Sequence, residues 1–298
     1  MNEDASDLTR RISRQYDLFQ TSLESLQKPQ KYLNYGYTVT CRESYEERQE
    51  RLCLEVFQAA ELEKDHVVVD VGFGSGEQDF LLARTFEFGR VIGYNIATEQ
   101  VRYASARAAR EGLSNRLEFR AGEAEALPGL DPASVDRVLA IECAFYFDRP
   151  RFYRRAAEVL RPGGRMVLAD ISLADALRSV ARREDFRRVG TISGNRAEWE
   201  KHFHTRALVP IHRETRAGAQ MTVAQILRTL PGSGMSRPQR REWLKMAMYS
   251  QLVAIGLWSG TLRYDLIVLE RRPQEAIPER GGDAEVRVRP AMVDHMQA

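Results

Sequence analysis

The strongest constraint on this chain is an alternation that occupies residues 66–171. Short runs rich in Val, Ile and Leu at 66–71, 90–96, 117–120, 135–141 and 165–171 are separated by helix-length segments at 77–85, 99–111 and 151–160. Strands joined through helices cannot be hairpin neighbours, so they pair in parallel, with the helices packed on both faces of the sheet. The runs are continuously apolar rather than alternating, as expected of strands covered on both sides. The sequence therefore predicts an α/β protein built on a doubly covered sheet, and residues 262–270 add a further strand near its end.

Flanking segments supply a cover and a less regular second half. Leu8, Ile12, Tyr16, Phe19, Leu23 and Leu26 recur at spacings of three and four, one apolar stripe along a helix. Lys28-Pro29-Gln30-Lys31 breaks it, because proline disfavours helix at the residue before it. An aromatic loop, Tyr32-Leu33-Asn34-Tyr35-Gly36-Tyr37, and a helix over 44–62 follow. Residues 172–256 are rich in helix formers and arginine and are expected to be helical, with a break at 231–234. Beyond Arg272 prolines, glycines and charges leave little to bury. The expected organisation is a helical cover over 1–30, one domain over 31–272 with a helical insertion at 172–256, and a flexible tail over 273–298.

Composition narrows partners and compartment. Forty-four basic residues against forty-two acidic ones leave a net charge of +2, too even for nucleic acid to be the default partner. Three cysteines, Cys41, Cys53 and Cys143, make no disulfide framework and no CxxC pair. No run approaches the eighteen or so apolar residues of a membrane span, and Met1-Asn2-Glu3-Asp4 does not start a signal peptide. A cytoplasmic protein with a small-molecule partner is expected, with no membrane partner and no metal; His202, His204 and His212 have no carboxylate at a regular ligand spacing. A homodimer is compatible with the sequence.

The chemistry-bearing motif is Val69-Asp70-Val71-Gly72-Phe73-Gly74-Ser75-Gly76-Glu77, a buried strand ending in an acid and running through alternate glycines into a helix. The glycines let backbone approach a ligand, and the helix N-terminus offers unpaired N–H groups. The dinucleotide spacing GxGxxG is not met, because Gln78 stands near where its last glycine would fall. An acid before the first glycine suits a cationic ligand and repels a diphosphate. Later strand ends agree: Asn95-Ile96 closes the second, Gly122-Glu123-Ala124 follows the third, and Ile141-Glu142-Cys143-Ala144-Phe145-Tyr146 follows the fourth.

In order and spacing, these motifs resemble class I S-adenosylmethionine-dependent methyltransferases. The Leu33–Tyr37 loop, the glycine stretch through Phe80 and the segment 249–273 are similar to the erythromycin-type macrolide-sugar O-methyltransferases and related natural-product enzymes. The resemblance implies a Rossmann-like fold with a mostly parallel seven-stranded sheet, an N-terminal helical lid and S-adenosyl-L-methionine as cofactor. Asp70, Gly72, Gly74 and Gly76 would hold its methionine portion. Asn95, in place of the family's acid, together with Ile96 and Gln100 would read the ribose. Gly122, Glu123 and Ala124 would meet the adenine, and Ile141 would lie beneath the sulfonium. Tyr16, Asn34 and Tyr35 would close over the cofactor. Tyr37, Phe145, Trp243 and Tyr249 would line the substrate pocket.

Two catalytic candidates follow. Tyr146 stands where O-methyltransferase relatives carry a histidine, and an ordinary tyrosine is a poor base at neutral pH. It would orient the substrate, have its pKa depressed, or serve a nucleophile that needs no strong base; packing between Phe145 and Phe147 is an equal expectation. Glu142 is the nearest alternative base, or an anchor for its loop. O-methylation of a secondary metabolite is the leading expectation. The Glu142–Tyr146 stretch also resembles C-methyltransferases acting on prenyl diphosphates, whose diphosphate the Arg182-Arg183, Arg187-Arg188 and Arg240-Arg241 pairs would hold. A third reading keeps the cofactor without methyl transfer, as a cyclase or binding protein.

Overall fold

In the computed structural model, residues 3–24, 32–231 and 233–273 are described. The helix break at 28–31 and the tail from 274 onward lie outside these residues. Seven strands form one sheet: β1 Val67–Val71, β2 Arg90–Asn95, β3 Leu117–Ala121, β4 Val135–Ile141, β5 Leu160–Leu173, β6 Phe203–Pro210 and β7 Leu262–Arg271. Their order is β3-β2-β1-β4-β5-β7-β6. Pairing is parallel from β3 through β5, and β7 runs antiparallel to both of its neighbours. The order reverses between β1 and β4, and a sheet of this kind opens a crevice at the carboxyl ends of its strands there.

The helices are α1 Glu3–Glu24, α2 Tyr45–Ala60, α3 Glu77–Thr85, α4 Thr98–Arg110, α5 Arg149–Val159, α6 Arg178–Ala181, α7 Ile192–Trp199, α8 His212–Thr229 and α9 Arg237–Ser259. The two-residue period of the strands splits the core. Val68, Val91, Leu139 and Val167 pack under α2 and α3 with Leu52, Val56 and Phe80, whereas Val69, Ile92, Val138 and Leu168 face α5 and α7 with Phe152, Tyr153 and Trp199. Each fully buried valine of β1 contributes roughly 1.5–3 kcal/mol. A third cluster joins α1 to the α8–α9 pair through Phe19, Ile226, Met235 and Trp243.

Residues 172–256 depart from expectation. They hold a strand, β6, antiparallel to β7, in addition to helices. Its sequence, Phe-His-Thr-Arg-Ala-Leu-Val-Pro, carries no sustained apolar run, because an edge strand has one neighbour and much of it stays half-buried. The strand forms because β7 offers it a row of backbone partners, broken by one bulge at Arg206, a signal that lies about sixty residues away in the chain.

Candidate functional site

The glycine motif folds as the expected turn from β1 into α3. Gly72, Gly74 and Gly76 all have positive φ, at 68°, 60° and 81°. A Cβ on Gly72 would lie 2.7 Å from the Cβ of Cys143, and one on Gly76 3.1 Å from that of Ala104. The turn therefore carries backbone across the end of β1 and leads directly into α3.

Asp70 is the penultimate residue of β1, on the face that α3 covers. Gln78 Nε2 donates to its Oδ2 at 2.5 Å, and the Asp79 carboxyl lies against it, so that the pair can share a proton. Burial pushes Asp70 up to about 7 and Asp79 well above the carboxylate range. No amide or hydroxyl donor among the described residues reaches Asp70 Oδ1 or Asp79 Oδ2. The sequence reading treated Gln78 only as a failed glycine position and missed Asp79. Both belong to the first turn of α3, which the glycine turn sets over the end of β1.

Asn95 ends β2 and is tied to protein on every side. Its Oδ1 accepts from Ala97 N, and its Nδ2 reaches Gln100 Oε1 at 2.8 Å. Gln100 Nε2 is buried without a partner. In this arrangement Gln100 presents the free donor and Asn95 positions it. Beside them a cavity of about 430 Å³ opens between α1 and the strand ends, lined by Arg10, Ser13, Asp17, Ile96, Gly122 and Glu123. That volume falls within the range of small-molecule sites. Ala124 and Ile141 are buried at the ends of their strands. A larger depression of about 600 Å³, around Arg84, Phe88 and Arg116, lies at the amino ends of β2 and β3 and holds none of the expected residues.

The lid is α1. Ser13 Oγ donates to Ile96 O at 2.9 Å, and Asp17 Oδ1 accepts from Glu99 N at 2.9 Å. The N-cap position of α4 is Ala97, which has no side chain to cap with, so Asp17 satisfies one of its orphan amides from another helix. Tyr16 OH then donates to Tyr146 OH at 3.1 Å. Neither Ser13 nor Asp17 stood out in the sequence, because their partners lie more than eighty residues away.

Glu142 follows β4 with φ 52°, a left-handed conformation that costs a non-glycine residue about 1–3 kcal/mol. Its Oε1 accepts from Tyr35 N and from Tyr264 OH, each at 2.7 Å, and burial raises it to about 8. The carboxyl thus fastens the Leu33–Tyr37 loop to β7. Tyr264 was read only as a strand residue.

Three expectations need correction. Asn34 is turned into the protein: its Nδ2 donates to Gln49 O, and its Oδ1 accepts from Gly36 N at 2.9 Å. It shapes the loop instead of facing the crevice. Burial raises the Tyr146 hydroxyl, against the expectation that its surroundings depress it. Trp243 is buried edge-on to Phe19 in the cluster that docks α1. Tyr35 reaches Ser250 on α9, Phe145 and Tyr37 pack half-buried against the core, and Tyr249 is 55% exposed.

Sheet order, glycine turn and strand-end polar groups together define a class I methyltransferase fold. Residues 69–168 match the protein family described as methyltransferase domain. Among curated proteins, erythromycin 3''-O-methyltransferase of Saccharopolyspora erythraea is 36% identical over 157 residues, 52% of this chain and 51% of its own. The 27-O-demethylrifamycin SV methyltransferase of Amycolatopsis mediterranei is 34% identical over 54% of this chain and 58% of its own. The chain thus spans about half the length of the curated relatives it matches. Among solved structures, the [4+2]-cyclase SpnF superposes with a TM-score of 0.76 at 20% identity, covering 89% of this chain and 97% of that one.

Proposed function

We propose that this chain is an S-adenosylmethionine-dependent methyltransferase that methylates a hydroxyl of a small natural product in the cytoplasm. The observation that carries the reading is the pair of unmet polar groups flanking the glycine turn. Asp70 Oδ1 is a buried acceptor awaiting a cation, and Gln100 Nε2 is a buried donor awaiting a hydroxyl. A ligand with an ammonium group at one end and a ribose beyond it satisfies both, and Ile96, Gly122 and Glu123 line the cavity that would take its base. Half-length matches to O-methyltransferases of macrolide and ansamycin metabolites support the substrate class.

When bound, the cofactor supplies a methyl group already activated on sulfur. The protein's own part is then alignment and exclusion of water. Tyr146, hydrogen-bonded to Tyr16 of the lid, orients the acceptor hydroxyl. Its raised pKa keeps it a neutral hydrogen-bonding group at physiological pH. Glu142 acts as the anchor that fixes the loop carrying Tyr35, and Tyr37, Phe145 and Tyr249 form the pocket wall. The helical segments between 172 and 256 complete the substrate side of the domain, under the cover supplied by α1.

Methylation of a prenyl diphosphate finds less support, because Arg182, Arg183 and Arg187 are exposed and Arg188 is engaged with the Tyr146 carbonyl. The test is calorimetric titration with S-adenosylmethionine, followed by mass analysis of products from hydroxylated polyketides and glycosylated macrolides. Micromolar binding and a product 14 Da heavier at oxygen are expected. Absence of binding refutes the cofactor assignment, a C–CH3 product refutes the O-directed reading, and cyclisation without S-adenosylhomocysteine refutes methyl transfer.

A further inference from the structure

Helix α9 has two long faces of opposite fate. Trp243, Ala247, Ser250, Ala254 and Leu257 are buried against α1, α8 and β7. On another side Leu244, Met248, Leu252, Ile255 and Trp258 are 50%, 53%, 56%, 51% and 73% exposed. At about 100° per residue these five fall within an arc of roughly 120°, a continuous stripe about 21 Å long. Tyr249, about 60° beyond Leu252 around the helix, is an electrostatic neighbour of Tyr146 and borders the stripe without belonging to it. Monomers seldom expose contiguous apolar patches beyond a few hundred Å².

The geometry points to a second copy of this chain as the occupant of the stripe, docked through an antiparallel α9–α9 pair about a two-fold axis. Two observations select that partner. First, the stripe is self-complementary to within one residue about the Gln251–Leu252 peptide: antiparallel packing sets Met248 against the partner's Ile255 and Leu244 beside the partner's Trp258, and the two-fold repeats both contacts. An isologous interface requires such self-complementarity, and an unrelated partner does not. Second, the exposed fractions of the five side chains amount to roughly 600 Å² of apolar surface, most of the ~800 Å² that each member of a standard interface buries. Charge agrees with this register. Arg241, exposed in the first turns of α9, comes to lie beside the carbonyl end of the partner helix, where a cation is favoured.

Sedimentation equilibrium of the full chain at tens of micromolar tests the assignment. The wild type should give twice the 34.1 kDa of one chain. Leu252→Glu should return it to one chain with an unchanged circular dichroism spectrum, since the side chain is more than half exposed and carries no core packing. Gln251→Cys in a Cys41→Ser background should cross-link to itself within minutes of mild oxidation, because the axis passes beside it. Three results would overturn the proposal: a monomeric wild type, a dimer that survives Leu252→Glu, or a Gln251→Cys chain that stays uncross-linked. A wild type that is monomeric but dimerises once shortened after Pro273 would assign the stripe to the chain's own C-terminal segment instead.

Discussion

Single residues at the strand ends set the electrostatics of the crevice. Asp70 and Asp79 are two carboxyls in one low-dielectric site, and the first ionises only near pH 7. A cationic ligand needs the charged form. Affinity for S-adenosylmethionine should therefore rise between about pH 6 and 8 and release protons on binding, measurable by calorimetry in buffers of different ionisation enthalpy. Asp70→Asn should weaken binding by roughly 1.5–3 kcal/mol, the scale of a charge-assisted hydrogen bond. Tyr146→Phe and Tyr16→Phe remove the two halves of one hydrogen bond. Each should lower kcat by about tenfold with little change in KM, and the double variant should cost no more than either single one. A double variant whose losses simply multiply would mean that the two tyrosines do not act as a pair.

Lid and sheet are a matter of elements. Helix α1 is held by the Phe19–Trp243 contact, by Ser13 on Ile96 and by the Asp17 carboxylate on the N-terminus of α4. Phe19→Ala should cost about 3–5 kcal/mol of docking energy. Because that loss falls on one helix, it should appear first as rapid proteolysis near residues 3–24 and a faster cofactor off-rate, ahead of any large fall in Tm. The elements also show where sequence patterns stop being informative. Strands β1, β2, β4 and β5 announce themselves because both of their faces are buried, which favours runs of apolar residues such as Val67–Val69, Val91–Ile92, Val138–Ile141 and Met166–Ala169. Strand β6 stays hidden at the sheet edge, where burial imposes no such rule. Asp17 was silent for a related reason: a cap supplied by another helix leaves no local capping motif.

For the whole molecule, buried acids make stability a function of pH. The folded values of Asp70 and Glu142, about 7 and about 8, lie above their unfolded ones. Their protonated forms are thus favoured by folding, so this contribution is complete below about pH 4. It is lost as pH rises through 7 and 8. The ligand-free protein should show a Tm that falls across that window, and saturating S-adenosylmethionine should flatten the fall. An unliganded Tm that rises steadily from pH 5 to 8 would contradict the burial of these carboxyls.

The sequence by itself determined the α/β class, the sheet strands that are buried on both sides, and the glycine turn with its acid, because each follows from local spacing and steric need. Tertiary structure alone decided the direction in which Asn34 points, the burial of Asp70 against Asp79, the anchoring of Glu142 by Tyr264, and the docking of Asp17 on α4. Those are contacts between residues that only the closed sheet brings together, and their energies come from burial that no local pattern records.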